Sequence, residues 1–146
     1  MKHRKRVRKL GRTSSHYGAM MANLLKSLIL HEVIQTSLQK AKHLRRYADR
    51  MITLAKKGTL ASRRRAIAKL RISFNSLSPK EQRRAKAGDL SAYNDDRKII
   101  KKLFTELSTR YTTREGGYTR VVPFHKRKGD NAKMCLIEYL PQRKSA

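Results

Sequence analysis

Residues 40–57 read KAKHLRRYADRMITLAKK, and their periodicity predicts an amphipathic helix. Ala41, Leu44, Ala48, Met51 and Ala55 recur at three-four-three-four spacing, the stripe that a core-facing helix needs. Lys40, Lys42, Arg45, Arg46 and Arg50 fall largely off that stripe. Lys56 and Lys57 suit the negative end of the helix dipole, and Gly58 is a natural residue to follow the last turn. One side of this helix must therefore pack, while the other presents cations.

Upstream, residues 32–38 (EVIQTSL) combine β-branched side chains with partial alternation and predict a short strand. Before it, Ser14 and Ser15 offer N-caps for a helix reaching about Leu30. Its stripe is Tyr17, Met21, Leu24 and Leu28, widened by Met20, Leu25 and Ile29, and Gly18 weakens its first turn. Downstream, a third helix is expected over residues 61–72, with Arg63, Arg64 and Arg65 opposing the dipole in its first turn. Residues 73–93 are polar. Within them Ser78-Pro79-Lys80-Glu81 carries a cap, a first-turn Pro and a capping-box Glu, predicting a short helix over residues 79–87 that Gly88 ends. Asp95 or Asp96 then caps a helix with Ile99, Ile100, Leu103, Phe104 and Leu107 inward.

The last part is β-rich. Residues 118–125 and 133–140 are strand-like runs around the polar turn KRKGDN at 126–131. Alternation puts Cys135, Ile137 and Tyr139 on one face of the second run, and Pro123 marks an edge or a bulge in the first. The expected architecture is α+β: several helices packed on a small mixed sheet of about three strands. A basic arm (1–13) precedes a single domain (14–140), and a short basic tail (141–146) follows.

At 146 residues the chain suits one domain, and its 38% hydrophobic residues fall below the roughly 45–50% of globular chains, a figure that also counts Gly. Lys and Arg number 37 against 10 acids, a formal charge of +27. Residues 1–31 alone hold eight cations and no acid. So much like charge opposes compaction, and a polyanion is the simplest remedy. Each phosphate neutralised would release counterions, so binding should be strong and steeply salt-dependent. No apolar run approaches a membrane span, the basic start lacks the h-region of a secretory signal, and the single Cys135 rules out an intrachain disulfide or a cysteine zinc site.

Catalytic arrangements are absent from the sequence. His31-Glu32-Val33-Ile34-Gln35 starts like a zinc-protease helix, but Gln35 stands where a second ligand is required. Asp95-Asp96 reads as a helix cap rather than an acid/base pair. Gly116-Gly117 lacks the Lys and hydroxyl of a phosphate loop and fits a turn, or a close approach of strand or phosphate. Cys135 reads as a small buried hydrophobe. His3 and His16 sit in basic surroundings that favour phosphate or base contact over metal.

Met1-Lys2-His3-Arg4-Lys5, Arg8-Lys9-Leu10-Gly11-Arg12 and Ser14-Ser15-His16 begin a series of blocks. It continues through residues 27–37 (SLILHEVIQTS), 41–46 (AKHLRR), 52–56 (ITLAK) and 63–66 (RRRA). It ends with residues 103–107 (LFTEL), 116–120 (GGYTR) and 129–132 (GDNA). In this order the blocks resemble the bacterial large-subunit ribosomal protein seventeen family. That resemblance implies a structural ribosomal protein with an α+β body and an inserted basic arm, bound to large-subunit (23S) rRNA beside neighbouring ribosomal proteins. It implies a position on the solvent side of the subunit toward the exit region, a single copy per ribosome, a cytoplasmic location, no cofactor and no catalysis. Two departures stand out: residues 73–93 exceed the family's usual length, and Leu38-Gln39-Lys40 lacks its common Pro.

Carried over residue by residue, the resemblance implies three groups of rRNA contacts. The first is Lys2, His3, Arg4, Lys5, Arg6, Arg8, Lys9 and Arg12 with Ser15 and His16. The second is Thr36, Lys40, Lys42, Arg45 and Arg46, and the third is Arg114, Gly116, Gly117, Tyr118, Arg120, Lys126, Arg127 and Lys128. Cations would meet phosphates, while Tyr118 and His16 are candidate stackers on bases. Two rivals are a nucleoid-type DNA-binding protein, for which no helix-turn-helix or basic zipper is evident, and an rRNA-processing enzyme using His16, Asp95 or Asp96.

Overall fold

A computed structural model describes residues 10–141, and the chain within them builds one helical layer on one sheet. Helix α1 (Ser14–His31) buries Met21, Leu25, Leu28 and Ile29. Its cap is Thr13 rather than Ser14 or Ser15, because Thr13 is extended and its carbonyl already accepts from the Tyr17 N–H at 2.8 Å. Glu32 ends the helix at φ 65°, its N–H bonded to the Leu28 carbonyl, and the chain turns directly into β1 (Val33–Ser37).

No loop separates β1 from α2 (Leu38–Lys57). Its buried residues are Ala41, Leu44, Ala48, Met51 and Ala55, the anticipated stripe, with Ile52 added. Three alanines on that stripe leave room for close neighbours. Gly58 stops the helix at φ 62°. In α3 (Leu60–Leu70), the Thr59 hydroxyl accepts from the Ser62 N–H at 3.2 Å, and Arg63, Arg64 and Arg65 all face solvent. Helix α4 (Pro79–Lys86) carries both halves of the Ser78–Glu81 capping box.

Helix α5 (Asp95–Lys102) is capped by Asn94, not by either aspartate: Asn94 Oδ1 accepts from the Arg97 N–H at 3.0 Å. Asp96 instead bonds Lys26 and the Ser73 N–H. The helix runs on through a π-helical turn (Leu103–Leu107), where the Ser108 N–H reaches back five residues to the Leu103 carbonyl, into α6 (Ser108–Arg110). That wider turn keeps Ile99, Leu103, Leu107 and Tyr111, spaced by four, in one buried line.

Strands β2 (Thr119–Lys126) and β3 (Lys133–Tyr139) form a hairpin, and the sheet order is β1-β3-β2. Both pairings are antiparallel, so the sheet is not the mixed one anticipated. The long helical passage from β1 to β2 does make those two strands run parallel, but β3 folds back between them and separates them. Cys135, Ile137 and Tyr139 face the core as their alternation requires. Register shifts between Pro123 and Lys126, on an edge strand where a missing N–H is tolerated. Among the described residues, helices cover one sheet face and leave Val33, Val122 and Phe124 exposed.

Candidate nucleic-acid interface

The acids are few and mostly committed. Glu32 takes Lys102 at 2.8 Å and Arg110, and the Arg110 guanidinium beside it, then Lys102, hold its carboxyl down at about 2. Asp96 takes Lys26, Glu138 takes Arg120, Asp130 takes Arg127 and Asp95 takes Lys98. Asp49 spends itself on the start of β2, accepting from the Tyr118 N–H and the Thr119 hydroxyl at 3.2 Å each. Burial raises its carboxyl above the usual range against the pull of those bonds. Among the described residues, the ion pairs thus leave Lys40, Lys42, Arg45, Arg46, Lys126 and Lys128 unmatched. The first turns of α1, α2 and α3 contain no acid, so their positive dipole ends stand unneutralised.

The fold gathers cations that the sequence separates. Tyr17 Oη lies 3.1 Å from His43 Nδ1, which sets the exposed start of α1, with Arg12, Ser15 and His16, beside α2. Burial first, then Tyr47, pushes the Tyr17 hydroxyl up to about 12, against a smaller opposing pull from Arg46. Ser37, the residue before α2, pairs with Met134, while the adjoining Lys133 pairs with Lys126. The hairpin end, with Lys126 and Lys128 exposed, therefore lies at the same end of the sheet as the first turn of α2 and Lys40, across β3 from it. Arg45 acts on Asp49, whose bonds to Tyr118 and Thr119 bring the middle of α2 to the start of β2. Members of all three anticipated groups thus stand on or beside α2.

Several anticipated residues have other duties. Tyr118 is only 2% exposed and its ring lies 5.1 Å from that of Tyr111, so it belongs to the core and is no platform for a base. The sequence placed it beside exposed residues; Asp49, by capturing its N–H, turns the ring inward instead. Thr36 is buried, with its carbonyl accepting from the Cys135 thiol at 3.3 Å. Gly117 adopts φ 59°, which favours glycine, whereas nothing lies within 4 Å of a Cβ at Gly116 or Gly117, so neither is needed for a close approach by another part of the described chain. Arg114 is half-buried and its Nε donates to the Gly116 carbonyl at 3.0 Å. Arg120 and Arg127 are both paired to acids while exposed. Lys2, His3, Arg4, Lys5, Arg6, Arg8 and Lys9 lie outside the described residues.

Phe124, 55% exposed and packed on His125 with centroids 4.5 Å apart, stands on the hairpin near Lys126. Neither was anticipated from the sequence, although an aromatic pair following Pro123 on an edge strand is a usable signal.

Residues 20–140 match the family model described as Ribosomal protein L17. The chain belongs to the ribosomal protein L17 family. It is similar to the protein named large ribosomal subunit protein bL17 from Protochlamydia amoebophila (strain UWE25), 62% identical over 140 residues. The bL17 proteins of Chlamydia felis (strain Fe/C-56) and Chlamydia trachomatis serovar D (strain ATCC VR-885 / DSM 19411 / UW-3/Cx) are 59% and 57% identical. Each match spans 96% of this chain and 99% of the relative. Membership makes the chain a structural ribosomal protein of bacterial type and not an enzyme.

Proposed function

We propose that this chain is a structural constituent of the large ribosomal subunit that binds and stabilises folded 23S rRNA through phosphate contacts. The observation that carries the reading is the set of cations on α2 outside any ion pair, with the start of α1 beside them and the hairpin end at the same end of the sheet. Lys and Arg in that set meet phosphates, with Arg able to fork two oxygens. Residues 1–13, rich in Arg and Lys with little to bury, add a basic arm to the same end of α1. The protein resides in the cytoplasm on the ribosome, in single copy, beside other large-subunit proteins.

Gradient sedimentation of a lysate, with the protein located by mass spectrometry, tests the assembly. The protein is expected in the 50S peak; finding it free of ribosomes in growing cells overturns the reading. Competition between duplex DNA and rRNA fragments separates the nucleoid-type alternative, since preferential displacement by DNA favours that rival. A truncation lacking residues 1–13 is expected to fold but to leave the large subunit in high salt more readily than the full chain.

A further inference from the structure

The segment joining α3 to α5 is stapled at its base. Asn75 Nδ2 donates to the Ala92 carbonyl at 2.9 Å and Asn94 Nδ2 to the Ser73 carbonyl at 2.8 Å. Arg97 Nε and Nη2 donate to Asn75 Oδ1 and O at 2.9 and 2.6 Å. The same guanidinium lies 5.0 Å from the Phe74 ring centroid and 5.6 Å from that of Tyr93. Two aromatic rings are thereby fixed by polar bonds rather than by core packing, and Phe74 remains 42% exposed.

Beside these rings opens a cavity of about 290 Å³, lined further by Phe104, Arg63 and Lys101. Arg63 sits 6.0 Å from the Phe104 centroid, and no carboxylate lines the walls. Among the described residues, neither Arg63 nor Lys101 has an acid within ion-pair distance. A groove sharing Arg63, Phe104 and Thr105 continues past Ser108 and Thr112. The volume stands at the bottom of the roughly 300–1,000 Å³ range of small-molecule sites, too small for a duplex. Flat rings with unmatched cations call for a ligand that is planar at one end and anionic at the other.

We propose that this cavity binds one unpaired nucleotide of RNA, its base against Phe74 and Tyr93 and its flanking phosphates on Arg63 and Lys101. Arg97 is a positioning residue, holding the two rings in place. The inference rests on the rRNA-binding reading and adds to it a single-strand site separate from the cations on α2. Stacking on preset rings is tolerant of base identity and is the usual way proteins hold splayed-out RNA bases.

The test measures binding of the full-length protein to a single-stranded RNA decamer, to its duplex and to a large-subunit rRNA transcript. Phe74→Ala is expected to weaken decamer binding about tenfold, in line with the removal of one stacked ring, with the salt slope unchanged. Phe74→Tyr, which keeps the ring, is expected to restore it. Arg63→Ala with Lys101→Ala should lower the salt slope by about 1.4, two phosphates' worth for a single strand. Duplex binding should respond to neither ring variant. Wild-type decamer affinity in Phe74→Ala, with rRNA binding intact, overturns this inference alone. Failure of the wild-type chain to bind the rRNA transcript overturns the rRNA reading and this site together. An acidic decapeptide that loses affinity in Phe74→Ala while the RNA decamer does not would assign the cavity to a protein partner and overturn the proposal.

Discussion

Replacing Glu32 by Gln should destabilise the fold by a pH-dependent amount. Glu32 accepts from Arg110 Nη2 at 3.1 Å and pairs with Lys102 at 2.8 Å, with its side chain 28% exposed. Its carboxyl is held at about 2 against an ordinary 4.5. By linkage that difference corresponds to roughly 3 kcal/mol, which partial solvent screening trims to about 2 kcal/mol. Because the folded value is depressed, this stability is fully present above pH 4.5 and is lost as pH falls toward 2. Urea unfolding of both proteins at pH 7 should show Glu32→Gln less stable by about 2 kcal/mol, or roughly 4–8 °C in Tm. At pH 2 the gap should nearly close, since the wild-type carboxyl is then about half protonated in the folded state and almost fully protonated in the unfolded one. A gap under about 0.5 kcal/mol at pH 7, the scale of an ordinary surface substitution, would refute the reasoning, as would one that persists undiminished at pH 2.

Asp49→Ala should cost about 1–3 kcal/mol in denaturant unfolding, because the Tyr118 N–H and Thr119 hydroxyl lose their acceptor in a half-buried site. Gly117→Ala, at φ 59°, should cost about 1–2 kcal/mol by the same measurement, and Gly116→Ala, which lacks that constraint, should be close to neutral. Combining Lys42→Ala, Arg45→Ala and Arg46→Ala should leave the unfolding midpoint nearly unchanged, since all three side chains are exposed. In filter binding to rRNA, the same variant should lower the slope of log affinity against log salt by two to three, about 0.9 for each phosphate left without its cation.

Where burial alone dictated the pattern, local sequence was a sufficient guide. The α2 stripe from Ala41 to Ala55 and the alternation of Cys135, Ile137 and Tyr139 report a core directly. Both hold because any tertiary arrangement must hide them. Strand order was not legible: antiparallel pairing of β1 with β3 depends on where the hairpin lies, and no property of residues 33–37 specifies that. The aspartate cap failed for a related reason. Asn94 and Asp96 are both competent acceptors, and the distant Lys26 and Ser73 determined which one was free to cap.

Site residues divide along the same line. Exposed cations on α2 were predictable because a charge off the apolar stripe has nowhere else to go. Tyr118 was not, since its inward turn depends on Asp49, 69 positions away. The aromatic cavity escaped for want of a local pattern: Arg63, Phe74 and Arg97 stand on separate elements and meet only once Asn75 and Asn94 close the segment's base.

The π-helical turn at Leu103–Leu107 restricts which length changes this chain can survive. Excising one residue within it would leave an ordinary helix with the buried positions still on one face at four-three-four spacing, whereas excising one from Asp95–Lys102 would rotate everything beyond it by about 100°. Tyr111 would swing off the core, and Arg110 would part from Glu32. Length variation between homologues should therefore collect at the tip around α4, whose helix buries no residue, and, as a single residue, at the π turn, while sparing Asp95–Lys102.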